Sequence, residues 1–337
     1  MITKTEEQIV KNWRYNEPPL VSIMCQTYNH KLYIAGAIEG FLSQQTDFSF
    51  EIIIHDDAST DGTPSTIIQY ADKYPNIIRP ILQTENQNSQ HRKNSLLAAI
   101  DCARGKYIAL CDGDDYWTDE NKLQIQIEEM QKNPRCYVSF HPVLRQLADG
   151  KGGKKILSKH CSYNKIYHTG EIILGDGGFC PTASLIFKKE IFNVIPDWFL
   201  DAPVGDYFLQ ILASLNGGAL YINKVMAVYR ANAIGSWSER MLQDENFVYD
   251  YFEKLLKSLD DIDSYTHHQY RQEFNFFKKK ACFYMCIKPV LSLEKRKRIF
   301  EASKSKFDLK TKILWYLLFR NKNLSRIIYN FKKYVFD

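Results

Sequence analysis

Lys106-Tyr-Ile-Ala-Leu-Cys-Asp-Gly-Asp-Asp-Tyr-Trp117 is the stretch on which the fold turns. Lys106 to Cys111 reads as a short buried strand. Asp112-Gly113-Asp114-Asp115 follows at its carboxyl end, and a capped helix comes next. Three carboxylates so close repel one another unless a cation lies among them, and hard oxygen ligands suit magnesium or manganese. Ligands of open α/β sheets bind outside the carboxyl ends of strands, so the motif places a metal where a substrate belongs. Alone, the same four residues also suit a solvated turn, because Asp and Gly are common turn formers. The rest of the chain decides between the two.

On either side, strand and helix alternate. Pro18-Pro19 leads into a strand from Leu20 to Cys25, and Asn29 is placed to cap a helix whose apolar stripe includes Ile34, Ile38 and Phe41. The β-branched run Phe50 to His55 suits a strand covered on both faces. Asp56-Asp-Ala-Ser-Thr-Asp-Gly62 is a polar turn, after which Thr63 caps a helix that has Pro64 in its first turn. A third strand runs from Ile77 to Leu82. After a polar loop, 83–95, a helix runs from Leu96 to Ala103. Thr118 caps the helix after the acidic motif, and Tyr137 to Leu147 is another strand. Strands at Thr182 to Phe187 and Leu220 to Val228 follow, and the chain reads as helical from about Glu239. The alternation implies a doubly wound, mostly parallel α/β sheet flanked by helices. Two acidic turns, Asp56-Asp57 and Asp112 to Asp115, then lie on one edge of that sheet.

Composition narrows the class. No stretch of the 337 residues approaches the roughly 18 apolar residues of a membrane span. Met1 to Arg14 is polar and lacks a signal-peptide core, so a cytoplasmic protein is expected. The eight cysteines are scattered and include no Cys-x-x-Cys. Cys282 and Cys286 would share one helix face as packing residues. Lys288 to Asp337 holds 14 Lys and Arg against 4 Asp and Glu, a net of +10; the whole chain is +5, leaving −5 for the body. The basic tail suggests an anionic partner.

Three segments in order resemble the family 2 glycosyltransferases: Val21-Ser-Ile-Met-Cys-Gln-Thr-Tyr-Asn29, Glu51-Ile-Ile-Ile-His-Asp-Asp-Ala-Ser-Thr-Asp-Gly-Thr63 and Gly105 to Trp117. The resemblance implies a GT-A domain over 18–240, with a nucleotide-binding half at 18–135 and an acceptor half at 136–240. Residues 1–17 are a polar lead-in and 241–337 a helical basic C-terminal region. It also implies roles for individual residues. Thr27 touches the base or ribose, Asp57 accepts from a base N–H as suits uracil, Asp112 lies near ribose, and Arg92 adds a basic contact to the nucleotide. Asp114 binds the Mn2+ or Mg2+ that bridges the diphosphate, and Asp115 lines the sugar side.

In Val204-Gly-Asp-Tyr-Phe208, Asp206 matches the family's general base, though a helix N-cap would use the same residue. Thr182 and Ser184 are acceptor contacts or strand residues. Arg230, in a segment resembling a mobile loop, pairs with diphosphate oxygens, and Trp237 stacks on sugar or closes the loop. Many relatives carry His where this chain has Asn232, which leaves the metal shell open at that point. His55 and His141 read as packed or surface histidines.

The expected function is inverting, metal-dependent transfer from a nucleotide sugar, with UDP-sugar favoured, to a glycan or lipid-linked acceptor. Lys310 to Lys333 mixes basic residues with Trp315, Phe319, Tyr329 and Phe331, which suits a helix on an anionic membrane and a peripheral place at the inner face of the plasma membrane. A packed helical extension or an oligomer contact would explain it as well. Nucleotidyltransfer would need a Gly-rich basic loop where Gln26-Thr-Tyr-Asn-His30 stands. A catalytically degenerate scaffold is countered by intact Asp57, Asp114 and Asp206. No nucleic-acid module is recognisable.

Overall fold

A computed structural model of the chain describes residues 4–14, 18–87, 94–150, 153–234 and 236–320. Arg92, Tyr329 and Phe331 lie outside the described residues. The chain divides into two compact units, Met1–Leu200 with Gly205–Ile234, and Asp201–Val204 with Gly235–Asp337.

In the first unit a short helix α1 (Glu6–Val10) precedes three strand–helix repeats. These are β1 (Val21–Thr27) and α2 (Ile34–Leu42), β2 (Phe50–Asp56) and α3 (Thr63–Lys73), and β3 (Ile78–Leu82) and α4 (Asn94–Asp101). The strand β4 (Tyr107–Leu110) runs into the acidic turn, followed by β5 (Tyr116–Trp117) and α5 (Lys122–Lys132). Next come β6 (Val138–Phe140), β7 (Val143–Leu147), β8 (Lys155–Leu157), β9 (Lys165–Tyr167) and α6 (Thr169–Leu174). Then follow β10 (Ile186–Lys188), α7 (Asp206–Ser214), β11 (Ala219–Tyr221) and β12 (Ala227–Ala231).

Eight strands form the main sheet in the order β3-β2-β1-β4-β10-β6-β11-β9. Only β10 and β9 run against the other six, so the expected mostly parallel sheet is present. Every residue of β2 is buried, as a strand covered on both faces requires. Thr27 pairs with Asp56 and Met24 with Leu110, which brings the carboxyl ends of β1, β2 and β4 to one edge. A smaller sheet, β5-β12-β7-β8, sets Tyr116-Trp117 beside β12. Gly40 lets α2 reach this sheet: a Cβ there would stand 2.9 Å from the Trp117 carbonyl oxygen. The glycine costs α2 about 1 kcal/mol of helix propensity, and the close approach puts Phe41 4.8 Å from Trp117, edge to face.

At the opposite end of the strands, Glu51 is buried and collects donors. It accepts from Ser22 Oγ at 2.7 Å, the Arg104 N–H at 2.7 Å, and the Arg79 and Arg104 guanidiniums at 2.9 Å each. These bonds hold its carboxyl below the usual range against a burial effect that acts the other way.

Several expected elements differ. Asn29 does not cap α2, whose N-cap is Tyr33. Instead Asn29 sits at φ 55° and ties two loops together. Its N–H donates to Ser59 Oγ at 2.8 Å and its Oδ1 accepts from the Thr60 N–H at 2.8 Å. Gly62, at φ 92°, is the N-cap of α3, and Thr63 opens the helix while donating to Asp61. Asn121, not Thr118, precedes α5. The single strand expected from Tyr137 to Leu147 breaks at His141-Pro142 and feeds both sheets. Thr182–Ser184 is a 3-10 turn before β10, and Leu220 to Val228 spans the end of β11 and the start of β12.

The second unit contains α8 (Trp237–Gln243), α9 (Glu245–Tyr265), α10 (Arg271–Cys286), α11 (Leu293–Ser303) and α12 (Leu309–Arg320). Its core includes Val248, Phe252, Phe283 and Phe300, and both Cys282 and Cys286 pack into it. Trp315 is buried there too, stacked on Phe300 at 3.6 Å between ring centroids. Trp315, one of the aromatic residues that suggest a membrane-lying helix, instead anchors α12 to its own unit.

Candidate active site

The carboxyl edge of β1, β2 and β4 gathers most of the expected residues. Thr27 ends β1, and its carbonyl oxygen accepts from the Asp57 N–H at 3.0 Å. Asp56, fully buried, accepts from both the N–H and the hydroxyl of Ser59 and shapes the turn. Asp57 Oδ1 accepts from the Gln87 N–H at 2.6 Å, so β3's outgoing loop is held against this carboxylate.

Gly113 is needed for the next contact. Its N–H donates to the Gln26 carbonyl at 2.8 Å. A Cβ there would lie 2.7 Å from Thr27 Oγ1 and 3.1 Å from His30 Nδ1. Those two atoms are buried with no hydrogen-bond partner among the described residues. Unpaired buried polar atoms are costly and are common at binding sites. Burial lowers the His30 imidazole below its ordinary value, against the opposing pull of Asp114, Asp61 and Asp56.

Two carboxylates of the acidic turn are raised, each first by burial. Asp112 is pushed up to about 8, first by burial and then by Asp114 and Asp206. Asp115 is also raised, by burial and then by Asp114, although its Oδ1 accepts from the Arg230 N–H at 2.8 Å. Asp114 is 8% exposed and contributes its carbonyl oxygen to Arg230 Nη1 at 2.6 Å. The Arg230 guanidinium lies between two tyrosines, 4.4 Å from the Tyr116 ring centroid and 5.2 Å from that of Tyr33.

Among the described residues no three His, Cys, Asp or Glu side chains converge to hold an ion unaided. One or two carboxylates completed by substrate phosphates and water is, however, the usual magnesium arrangement. The acidic turn offers carboxylates of that kind, with Asp112 and Asp114 in electrostatic reach of each other.

Asp206 opens α7, with Gly205 at the N-cap. Its Oδ2 accepts from Thr182 Oγ1 at 2.7 Å and its Oδ1 from the Tyr207 N–H at 2.8 Å. Burial raises this carboxyl, and the two donors hold it back. The effect of Asp206 on Asp112 places the two in electrostatic reach. Ser184 is fully buried and donates to the Pro181 carbonyl at 2.6 Å. Trp237 lies in the second unit, 46% exposed and 5.6 Å from Tyr251. His55 and His141 are buried packing residues.

The structure also adds residues that sequence reading passed over. Tyr28, just past β1, presents an aromatic side chain 41% exposed at this edge. Its place within the first matching segment was the available signal. Tyr33 and Tyr116 carry no pattern that marks them as supports for an arginine.

A family model for "Glycosyl transferase family 2" matches residues 22–194. The chain belongs to glycosyl transferase family 2. An uncharacterised protein of Mycobacterium tuberculosis is 36% identical to this family 2 member over 218 residues, covering 64% of the chain and 60% of the relative. The chain thus spans about three fifths of that curated relative. The Escherichia coli protein WfgD, a UDP-Glc:alpha-D-GlcNAc-diphosphoundecaprenol beta-1,3-glucosyltransferase, is 29% identical over 215 residues, 63% of the chain and 77% of WfgD. The structure of S. aureus TarS 1-349 in complex with UDP-GlcNAc aligns with a TM-score of 0.55 at 14% identity, covering 92% of this chain and 91% of that one. The family 2 member shares that GT-A architecture.

Proposed function

We propose that this family 2 protein is an inverting, metal-dependent glycosyltransferase that moves a sugar from a UDP-sugar to a hydroxyl of a lipid-linked or glycan acceptor. The observation that carries the reading is Asp206, fixed by Thr182 and the Tyr207 N–H and within electrostatic reach of the acidic turn. A UDP-linked donor is supported by Asp57, by the exposed Tyr28 ring and by the ligand of the TarS complex. A lipid-linked acceptor is supported by the substrate in the name of WfgD.

In this mechanism the Asp206 carboxylate takes the proton of the acceptor hydroxyl as its oxygen attacks the anomeric carbon. The bond from that carbon to the diphosphate oxygen breaks, the electron pair leaves with the nucleotide, and the centre inverts. Asp114 would hold the divalent cation, which when bound neutralises the charge of the leaving diphosphate, with Asp112 beside the ribose. Arg230 braces the acidic turn through the Asp114 carbonyl and the Asp115 carboxylate.

Docking of the second unit on an anionic membrane is part of the same reading. Leu309, Ile313, Tyr316 and Leu317 are exposed on one face of α12. At 100° per residue, Lys310 and Lys312 flank that stripe, as on helices that lie in a lipid interface. No helix among the described residues is long and apolar enough to cross a membrane.

The deciding experiment is nucleotide release from a panel of nucleotide sugars, with manganese or with chelator. One donor should be consumed in the presence of metal, and both Asp114→Ala and Asp206→Asn should lose turnover by a factor on the order of a thousand. Failure of any UDP-sugar to bind in the presence of metal would sink the reading in favour of a degenerate scaffold.

A further inference from the structure

The segment from Cys180 to Leu185, which carries Thr182, is tied down from four sides. From α7, Gln210 Nε2 donates to the Cys180 carbonyl at 2.9 Å. From β5, Trp117 Nε1 donates to the Ala183 carbonyl at 3.0 Å. From β4, the Leu110 N–H donates to the Leu185 carbonyl at 3.0 Å. From α5, Gln126 Nε2 donates to the Ser184 carbonyl at 2.9 Å and to Ser139 Oγ at 3.0 Å.

The fourth tie is unlike the others because a second buried side chain orients it. Lys122 Nζ donates to Gln126 Oε1 at 2.7 Å and lies 4.1 Å from the Trp117 ring centroid. Lys122 and Gln126 are one helical turn apart, and neither exposes any surface. Burying an ammonium is costly, and a well-packed apolar pair of similar volume is often at least as stable. What the lysine supplies is direction. Burial lowers its ammonium to about 7, and its Nζ donates to the amide oxygen of Gln126, while the amide N–H groups face the Ser184 carbonyl and Ser139 Oγ.

We propose that Gln126, oriented by Lys122, is a positioning residue for the Asp206 carboxylate. Through the Ser184 carbonyl it sets the Thr182–Ser184 turn, and that turn places the Thr182 hydroxyl on Asp206. The inference rests on reading Asp206 as the base, but its test does not require turnover.

Gln126→Glu keeps the shape and the acceptor for Lys122 while removing the donor to Ser184. The groups that face Asp206 are the Thr182 hydroxyl, the Tyr207 N–H, the Asp112 carboxyl and the Cys180 thiol. A donor to a carboxylate favours the ionised form, so weakening the Thr182 bond must move the Asp206 midpoint upward. That midpoint can be followed in the full chain through the infrared carbonyl band of the protonated acid, assigned by its loss in Asp206→Asn.

Thr182→Val should raise the midpoint, Thr182→Ser should restore it, and Gln126→Glu should raise it as well. On a Thr182→Val background the Gln126 substitution should add nothing, whereas a field effect of the new charge would still appear. Lys122→Met with Gln126→Met, an apolar pair, should reproduce the shift with the melting temperature preserved. In turnover, Gln126→Glu should lower kcat roughly tenfold, with donor KM held and the acid limb displaced to higher pH. An unmoved midpoint in Gln126→Glu, or a full additive shift in the double variant, overturns the proposal. A shift as expected in a protein that consumes no donor would uphold the positioning and remove the base reading instead.

Discussion

The Arg230 N–H donates to Asp115 Oδ1 at 2.8 Å, and the guanidinium of the same residue donates to the Asp114 carbonyl at 2.6 Å. One residue of β12 therefore grips the acidic turn at both a carboxylate and a backbone oxygen. Its planar head lies between Tyr116 and Tyr33, a setting that lysine cannot reproduce. Arg230→Lys should lower nucleotide release about tenfold while the melting temperature moves by only a few degrees. Wild-type turnover in that variant would show that the turn needs no such brace.

The contact between Gly113 and Thr27 gives a second prediction. A Cβ on Gly113 would come within 2.7 Å of Thr27 Oγ1 and 2.8 Å of Thr27 Cβ. Both atoms belong to a buried β-branched residue that has no room to turn. Gly113→Ala should cost about 1–3 kcal/mol of stability and weaken nucleotide binding. Gly113→Ala combined with Thr27→Ala should recover part of the stability by removing Oγ1, the nearest atom to the new methyl group. Urea denaturation of the three proteins tests this, and equal midpoints would refute the clash.

Glu51 supplies a pH-dependent test away from the site. Its folded-state carboxyl is held low by Ser22, Arg104 and Arg79. A depressed carboxyl contributes stability that is complete above the unfolded value and fades as pH falls through the folded one. Both arginines are about two-fifths exposed, at 42% and 41%, so solvent screens them. Glu51→Gln should therefore cost about 2 kcal/mol at neutral pH, short of a fully buried pair. The gap to the native protein should close on acidification. A gap that stays constant down to acid pH would mean that packing, not charge, makes the difference.

The parts of the fold that sequence makes legible are those set by local pattern. The β-branched run Ile52 to Ile54 and the acidic turn at Asp112 each state their own environment, and the sheet edge follows from them. Helix starts were less legible because the short polar residues serve elsewhere. Asn29 spends its side chain on Thr60, and Asp61 takes the donors of Thr63. The break at His141-Pro142 was hidden by continuous β-propensity on both sides of it. Ser184 and Thr182 look alike in sequence, but one turns into the core and the other toward Asp206, a choice made by Gln126 and Trp117 far along the chain. Arg230 stands out in sequence as a cation expected at the diphosphate, but the tyrosines beside it come from other segments.

The stripe on α12 yields the last prediction. Leu309 is 73% exposed, Tyr316 and Leu317 60% each, and Ile313 53%, while Trp315 on the other side of the helix is buried. The helix is thus already anchored to its own unit and gains nothing from that unit by exposing four large apolar side chains. Lys310 and Lys312 can lay their stems along a bilayer surface with the charges at the headgroups. The excess of basic residues from Lys288 onward makes an anionic surface the matching partner. The full chain should co-sediment with vesicles rich in phosphatidylglycerol, should largely fail to do so with phosphatidylcholine alone, and should be released as salt is raised. Ile313→Glu with Leu317→Glu should weaken vesicle binding at least about tenfold and leave nucleotide release from a soluble donor unchanged. If the double variant instead binds vesicles like the native chain, the stripe is not the membrane face. If the native chain runs as a dimer that the variant loses, the stripe is a contact between copies.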